Sequence, residues 1–131
     1  MYEILNFSPR EYQKNIFETC KNKSCLVILP TGIGKTAISM MLSIHRLNLH
    51  PNSKIVICSP TKPLCAQHIK TFQEYTNLQK ESINLYTGAI KPKDRKAIWE
   101  NSKLIVATPQ TINSDLIGNR INLNNVSLLT I

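Results

Sequence analysis

The sequence predicts an α/β fold, a mostly parallel sheet with helices on both faces in a three-layer α/β/α arrangement. Two observations carry this prediction. Short continuous Val/Ile/Leu runs alternate with longer segments of three-to-four apolar spacing along nearly the whole chain, and strands read as unbroken apolar runs when neither side of the pleat meets water. Polar, Gly- and Pro-containing motifs follow those runs directly, where an open parallel sheet carries its ligand loops.

Each element has its own signal. Residues 9–22 predict a helix, with Tyr12, Ile16, Phe17 and Cys20 at helical spacing behind a Ser8-Pro9 start. The run Cys25-Leu26-Val27-Ile28-Leu29 predicts a buried strand, followed by a loop and a helix over 35–49 that stops at His50-Pro51-Asn52. Residues 54–59 (K-I-V-I-C-S) predict a second strand and 62–77 a second helix of this alternation. Residues 83–86 predict a short third strand, 94–101 a helix, 103–108 (K-L-I-V-A-T) a fourth strand and 109–117 a helix. A fifth strand is predicted to begin at 126–131, and no repeat, low-complexity tract or linker interrupts the order.

Composition sets the outer bounds. A chain of 131 residues is one domain's worth, and 42% hydrophobic content excludes a disordered tail. No apolar run approaches the roughly 18 residues of a membrane span, and the first ten residues carry Glu3 without the apolar stretch of a signal peptide. A cytoplasmic protein with no membrane partner is expected. Cys20, Cys25, Cys58 and Cys65 show no C-x-x-C pairing and no zinc spacing to His45, His50 or His68, so they are read as reduced packing residues. Sixteen basic against eight acidic residues leave a net charge of +8, which favours a polyanionic partner, nucleic acid first. The cluster Lys91-Pro92-Lys93-Asp94-Arg95-Lys96 reads as a solvated loop and helix start.

The most specific motif is L-P-T-G-I-G-K-T at 29–36, between the first apolar run and a helix. This is the layout of a phosphate-binding loop: Gly32 and Gly34 let backbone N–H groups face phosphate oxygens, the Lys35 ammonium reaches the β/γ-phosphates, and the Thr36 hydroxyl ligates Mg²⁺. The helix behind it adds its positive end to the same anion site. Leu29 stands where the general pattern has a glycine. A nucleoside triphosphate and Mg²⁺ are therefore the expected cofactors, with Pro30, Thr31, Gly32, Ile33, Gly34, Lys35 and Thr36 as the nucleotide-binding residues, Lys35 and Thr36 as the catalytic pair, and Thr36 as metal ligand.

With these motifs assembled, the chain resembles the first motor lobe of superfamily 2 helicases, in the branch of archaeal Hef and eukaryotic FANCM, with the duplex-RNA-sensing helicases nearby. Arg10-Glu11-Tyr12-Gln13 resembles the adenine-recognising Q motif and 30–36 motif I; Leu29 is ordinary in this superfamily. Ser59-Pro60-Thr61-Lys62-Pro63-Leu64 with Gln67-His68 is similar to motif Ia, Thr87-Gly88 to motif Ib, and Val106-Ala107-Thr108-Pro109-Gln110-Thr111 to the T-P-Q segment. The resemblance implies a P-loop NTPase lobe of RecA-like type. It further implies that Gln13 offers its amide to the adenine edge and Arg10 stacks on the base, which makes ATP rather than GTP the expected nucleotide; without it, both would read as exposed helix surface. Pro60, Thr61, Lys62, Gln67, Thr87, Gly88, Thr108, Pro109 and Gln110 are the implied nucleic-acid-binding residues, suited to sequence-independent contact with phosphates. Helix capping by Thr stands beside that reading as the alternative.

Hydrolysis by such a motor needs a carboxylate at a strand end for the metal and a neighbour to orient water. None of Glu3, Glu11, Glu18, Glu74, Glu81, Asp94, Glu100 and Asp115 directly follows an apolar run. In the family the D-E-A-H box follows a strand like 126–131. The chain is accordingly expected to be residues 1–131 of the first RecA-like domain, truncated before that box, inactive alone, and either marginally stable or self-associating through exposed strand edges. A second RecA-like domain of the same parent is its expected partner, and DNA is favoured over RNA as substrate. Two alternatives belong to other classes. A non-catalytic binding module fits the chain as it stands, whereas a small-molecule kinase would need substrate-binding arginines and a lid, and Arg10, Arg46, Arg95 and Arg120 are expected to form no cluster.

Overall fold

The computed structural model describes residues 1–30 and 34–131. Helices α1 (Glu11–Cys20) and α2 (Lys35–Leu49) precede strand β1 (Lys54–Cys58) and helix α3 (Lys62–Tyr75). A 3₁₀ turn (Lys80–Ser82) then leads into β2 (Ile83–Tyr86), α4 (Pro92–Asn101), β3 (Leu104–Ala107), α5 (Pro109–Ile117) and β4 (Val126–Thr130). The strands form one parallel sheet in the order β2-β3-β1-β4. Ile55 to Cys58 align with Leu104 to Ala107, and those in turn align with Ile83 to Tyr86.

The unbroken apolar runs are explained by side-chain alternation between two cores. Ile55, Ile57, Leu104, Val106 and Ile83 point to one face, where Met40, Ile44 and Leu47 of α2 and Cys65 and Phe72 of α3 close over them. Val56, Ile105, Ala107 and Tyr86 point to the other, beneath Trp99 of α4 and Ile112 of α5. Because successive strand residues face opposite sides, one K-I-V-I-C run supplies both layers. Helix α1 lies on α2, with Phe17 meeting the His45 ring edge-on at 5.5 Å. Pro at the first or second position opens α3, α4 and α5, where its missing N–H has no helical partner to lose.

The N-terminal strap is held by two asparagines. The Asn48 side chain accepts from Tyr2 N–H and donates to its carbonyl, at 2.9 Å each, while Asn77 accepts from Glu3 N–H at 2.8 Å.

One predicted strand does not form. Residues 25–29 carry no strand, and Leu26 and Ile28 are 87% and 82% exposed; Cys25, expected in a strand interior, is exposed too. The described sheet therefore has four strands where five were expected. The reason is tertiary: a strand exists only with a hydrogen-bonding neighbour, β1 is already flanked by β3 and β4, and residues 25–29 pair with neither edge strand.

Candidate nucleotide and nucleic-acid interface

At the start of α2, Gly34 caps the helix in the left-handed region at φ +56°, a conformation that glycine adopts without a Cβ penalty. Lys35 is exposed and Thr36 half-buried in the first helical turn. Both thus stand at the positive end of a fifteen-residue helix with no acidic residue in its first turn. Thr31, Gly32 and Ile33 lie outside the described residues, and Pro30 before them is exposed.

Gln13 meets this site from α1. It is buried, with Oε1 accepting from the Arg10 N–H at 2.8 Å and Nε2 donating to the Gly34 carbonyl at 3.4 Å. The structure therefore brings Arg10, Gln13, Gly34, Lys35 and Thr36 into one neighbourhood, although 21 positions separate Gln13 from Gly34. The Gln13 amide is engaged with backbone on both sides, and Arg10 is exposed at the head of α1.

All strands run parallel, so their carboxyl ends share one edge of the sheet. Strand order sets the sequence of loops along that edge: Thr87-Gly88 after β2, Thr108-Pro109-Gln110 after β3, and Ser59 to Lys62 after β1. The T-P-Q segment, last in the chain, is therefore central in space. Pro60, Thr61, Lys62, Gln67, Gly88, Pro109 and Gln110 are exposed there. Thr61 also caps α3, its hydroxyl accepting from Leu64 N–H at 3.4 Å. Thr108 Oγ1 lies 2.8 Å from Thr111 Oγ1. Thr87 differs from these, being 1% exposed with a hydroxyl that has no hydrogen-bond partner among the described residues.

Beneath this edge lies a group that sequence reasoning missed. Asp115, fully buried in α5, receives Nε and Nη2 of Arg95 at 2.8 and 2.7 Å, Nε of Arg120 at 2.7 Å, and the hydroxyl of Tyr86. The expectation of unclustered arginines is thus overturned for Arg95 and Arg120. Arg95, read as part of a solvated basic run, is 6% exposed. Its fork of hydrogen bonds holds the Asp115 carboxyl well below the usual carboxylate range, while burial and the neighbouring carboxylate push the Tyr86 hydroxyl up. Arg95 and Tyr86 lie 20 and 29 positions from Asp115, where no local pattern announces them, while Arg120 lies five positions beyond it.

All eight acids are now located. Glu11 and Glu18 are on α1, Glu74 on α3, Glu81 in the 3₁₀ turn, Asp94 and Glu100 on α4, Asp115 on α5, and Glu3 in the N-terminal strap. None stands at a strand's carboxyl end, and no three His, Cys, Asp or Glu among the described residues could hold a metal together. No described helix is long and apolar enough to cross a membrane.

A parallel sheet with one helix opening at the left-handed Gly34, and a row of polar loops at the strands' carboxyl ends, is the layout in which open α/β lobes carry their ligands. Residues 10–131 match the DEAD/DEAH box helicase family, and the chain belongs to that family. It is 36% identical over 92% of its length to a Methanocaldococcus jannaschii protein provisionally named an ATP-dependent RNA helicase, covering 15% of that protein. It is 34% identical over 96% of its length to the ATP-dependent DNA helicase MPH1 of Scheffersomyces stipitis, covering 12% of it. The crystal structure of the Pyrococcus furiosus Hef helicase domain superposes with a TM-score of 0.87 at 45% identity, over 92% of this chain and 25% of that one. The chain thus spans a small part of the length of the relatives it matches, and its sheet is that of a RecA-like lobe.

Proposed function

We propose that this chain is the ATP-binding part of the first motor lobe of a DNA helicase or translocase, one that couples ATP hydrolysis to movement along branched or duplex DNA. The observation that carries the reading is that α2 starts on the sheet edge bearing the three polar loops: Ser39 near its start reaches Thr130 at the end of β4, while Arg46 in its last turn reaches Ser127 near the beginning of that strand. Lys35 and the backbone of residues 32–36 hold the triphosphate, and Arg10 and Gln13 read the adenine once the Gln13 amide leaves the Gly34 carbonyl. Thr36 would supply its hydroxyl to Mg²⁺, which would neutralise charge on the triphosphate. A lone hydroxyl suits that hard cation, which keeps several waters and leans on substrate phosphates rather than on a protein cage. Lys62, Thr61, Gln67, Gly88, Gln110 and their neighbours grip a sugar–phosphate backbone without reading bases.

The acids that would orient the attacking water are not at any strand end here, which supports placing them, and a second RecA-like lobe, elsewhere in a longer protein. On this reading the 131-residue chain binds nucleotide weakly and turns none over. The M. jannaschii relative's name favours a second reading, the same engine on duplex RNA. The intact motor is expected to hydrolyse ATP faster with forked DNA and to lose that stimulation with Lys35→Ala; stimulation that survives this substitution overturns the assignment of Lys35. Stimulation by duplex RNA alone would transfer the proposal to RNA.

A further inference from the structure

We propose that Arg95 and Asp115 are positioning residues for nucleic-acid binding, locking the Thr87–Ile90 turn after β2 to the helix that follows the T-P-Q segment. The inference rests on the nucleic-acid reading above. Arg95 makes three separate attachments: Nε and Nη2 go to the two oxygens of Asp115, and Nη1 donates to the Ile90 carbonyl at 2.6 Å. Ile90 N–H in turn closes the turn onto the Thr87 carbonyl at 3.1 Å. One guanidinium therefore spans from the loop carrying Thr87 and Gly88 to the seventh residue of α5, whose first two residues are Pro109 and Gln110. Tyr86, the residue just before Thr87, binds the same carboxylate. The two loops are thus keyed to one buried point.

Stability alone explains such a cluster poorly. Taking a carboxylate and a guanidinium out of water costs several kcal/mol per ion, and a well-packed apolar substitute is often as stable. What an apolar substitute lacks is direction, because a planar fork with fixed donor angles admits one arrangement of its partners. The buried, unpartnered Thr87 hydroxyl lies on the turn so fixed, and the exposed Gly88 beside it has its Cβ position 3.9 Å from Thr111 Oγ1 of α5. A small shift of the turn would therefore change what both loops present.

The test compares Arg95→Lys, Tyr86→Phe and Thr87→Val in the intact motor with forked DNA, reading the DNA concentration for half-maximal ATPase, the rate at saturating DNA, nucleotide affinity and melting temperature. Lysine keeps the charge but cannot bridge Asp115 and Ile90 together. It should raise the half-maximal DNA concentration about tenfold, the scale of one lost charge-assisted hydrogen bond. The saturated rate and nucleotide affinity should hold within about twofold, and Tyr86→Phe should act in the same direction but less. Combined with Thr87→Val, Arg95→Lys should add less than the product of the two single effects, because both act through one turn. A lower melting temperature with unchanged DNA dependence overturns the proposal, as do fully multiplicative effects or an equal loss of nucleotide affinity. An unmodified motor that binds neither DNA nor duplex RNA sinks the functional reading itself, before any variant is compared.

Discussion

Asp115 shows how far a single residue departs from its sequence appearance. Along the chain it is one polar position in T-I-N-S-D-L-I; in the fold its carboxylate accepts from Arg95, Arg120 and Tyr86 without exposure to water. Removing one partner of such a buried pair is expected to destabilise by about 3–5 kcal/mol, so Asp115→Ala should show a clear drop in denaturant midpoint. The pH dependence follows from the depressed native pKa. The unfolded carboxyl titrates near 3.8, so the stabilisation is complete above that value and is lost as pH falls below it towards the native pKa. The stability gap between the parent and Asp115→Asn should therefore be constant at neutral pH and shrink below about pH 4. A gap that stays constant through that acid range would show that the carboxylate does not contribute through its charge. Lys54 illustrates the opposite sign. Its buried ammonium donates to the Trp99 and Ser102 carbonyls, and burial lowers its pKa, so its contribution disfavours the fold until pH rises towards its ordinary value.

Among the elements, helices were more legible than strands. The spacing reading matched α2, β2 and α5 to the residue, because helix periodicity and Pro or Gly punctuation are written locally. The run 25–29 has the same apolar content as β1 but not its fate. Apolar content records that a segment needs cover, and only the other strands decide whether cover exists. Its exposed Leu26 and Ile28, with Leu129 on β4 and Ile131 beyond it, offer apolar surface next to strand backbone, the combination that leads to edge-to-edge pairing. The 131-residue chain is accordingly expected to associate across the micromolar range in sedimentation velocity, and Leu129→Lys to shift it towards monomer. A single monomeric boundary together with a cooperative melt would contradict this.

For the molecule as a whole, on the proposed function the net charge of +8 and the polar loop row should make binding to nucleic acid electrostatic and indifferent to sequence. Each phosphate neutralised should contribute about −0.9 to the slope of log affinity against log salt on duplex DNA. Forked DNAs of scrambled sequence should bind the intact motor alike, with a slope of several units. A strong base preference with a flat salt response would contradict backbone gripping, and direct competition between forked DNA and duplex RNA separates the two substrate readings.

The sequence by itself determined the order of the helices and of the four strands that form, the two-sided burial of β1 and β3, and the start of α2 at Lys35, because each is encoded within a few neighbouring residues. Only the tertiary structure decided that the T-P-Q segment stands between the other two loops, that Gln13 closes on Gly34, that residues 25–29 stay unpaired, and that Arg95 and Arg120 converge on Asp115. The physical reason is that strand adjacency, or its lack, and the buried contacts of Gln13, Arg95 and Tyr86 depend on residues distant along the chain, and Arg120 joins a carboxylate those contacts have placed; this geometry exists only after the sheet has set which ends lie side by side.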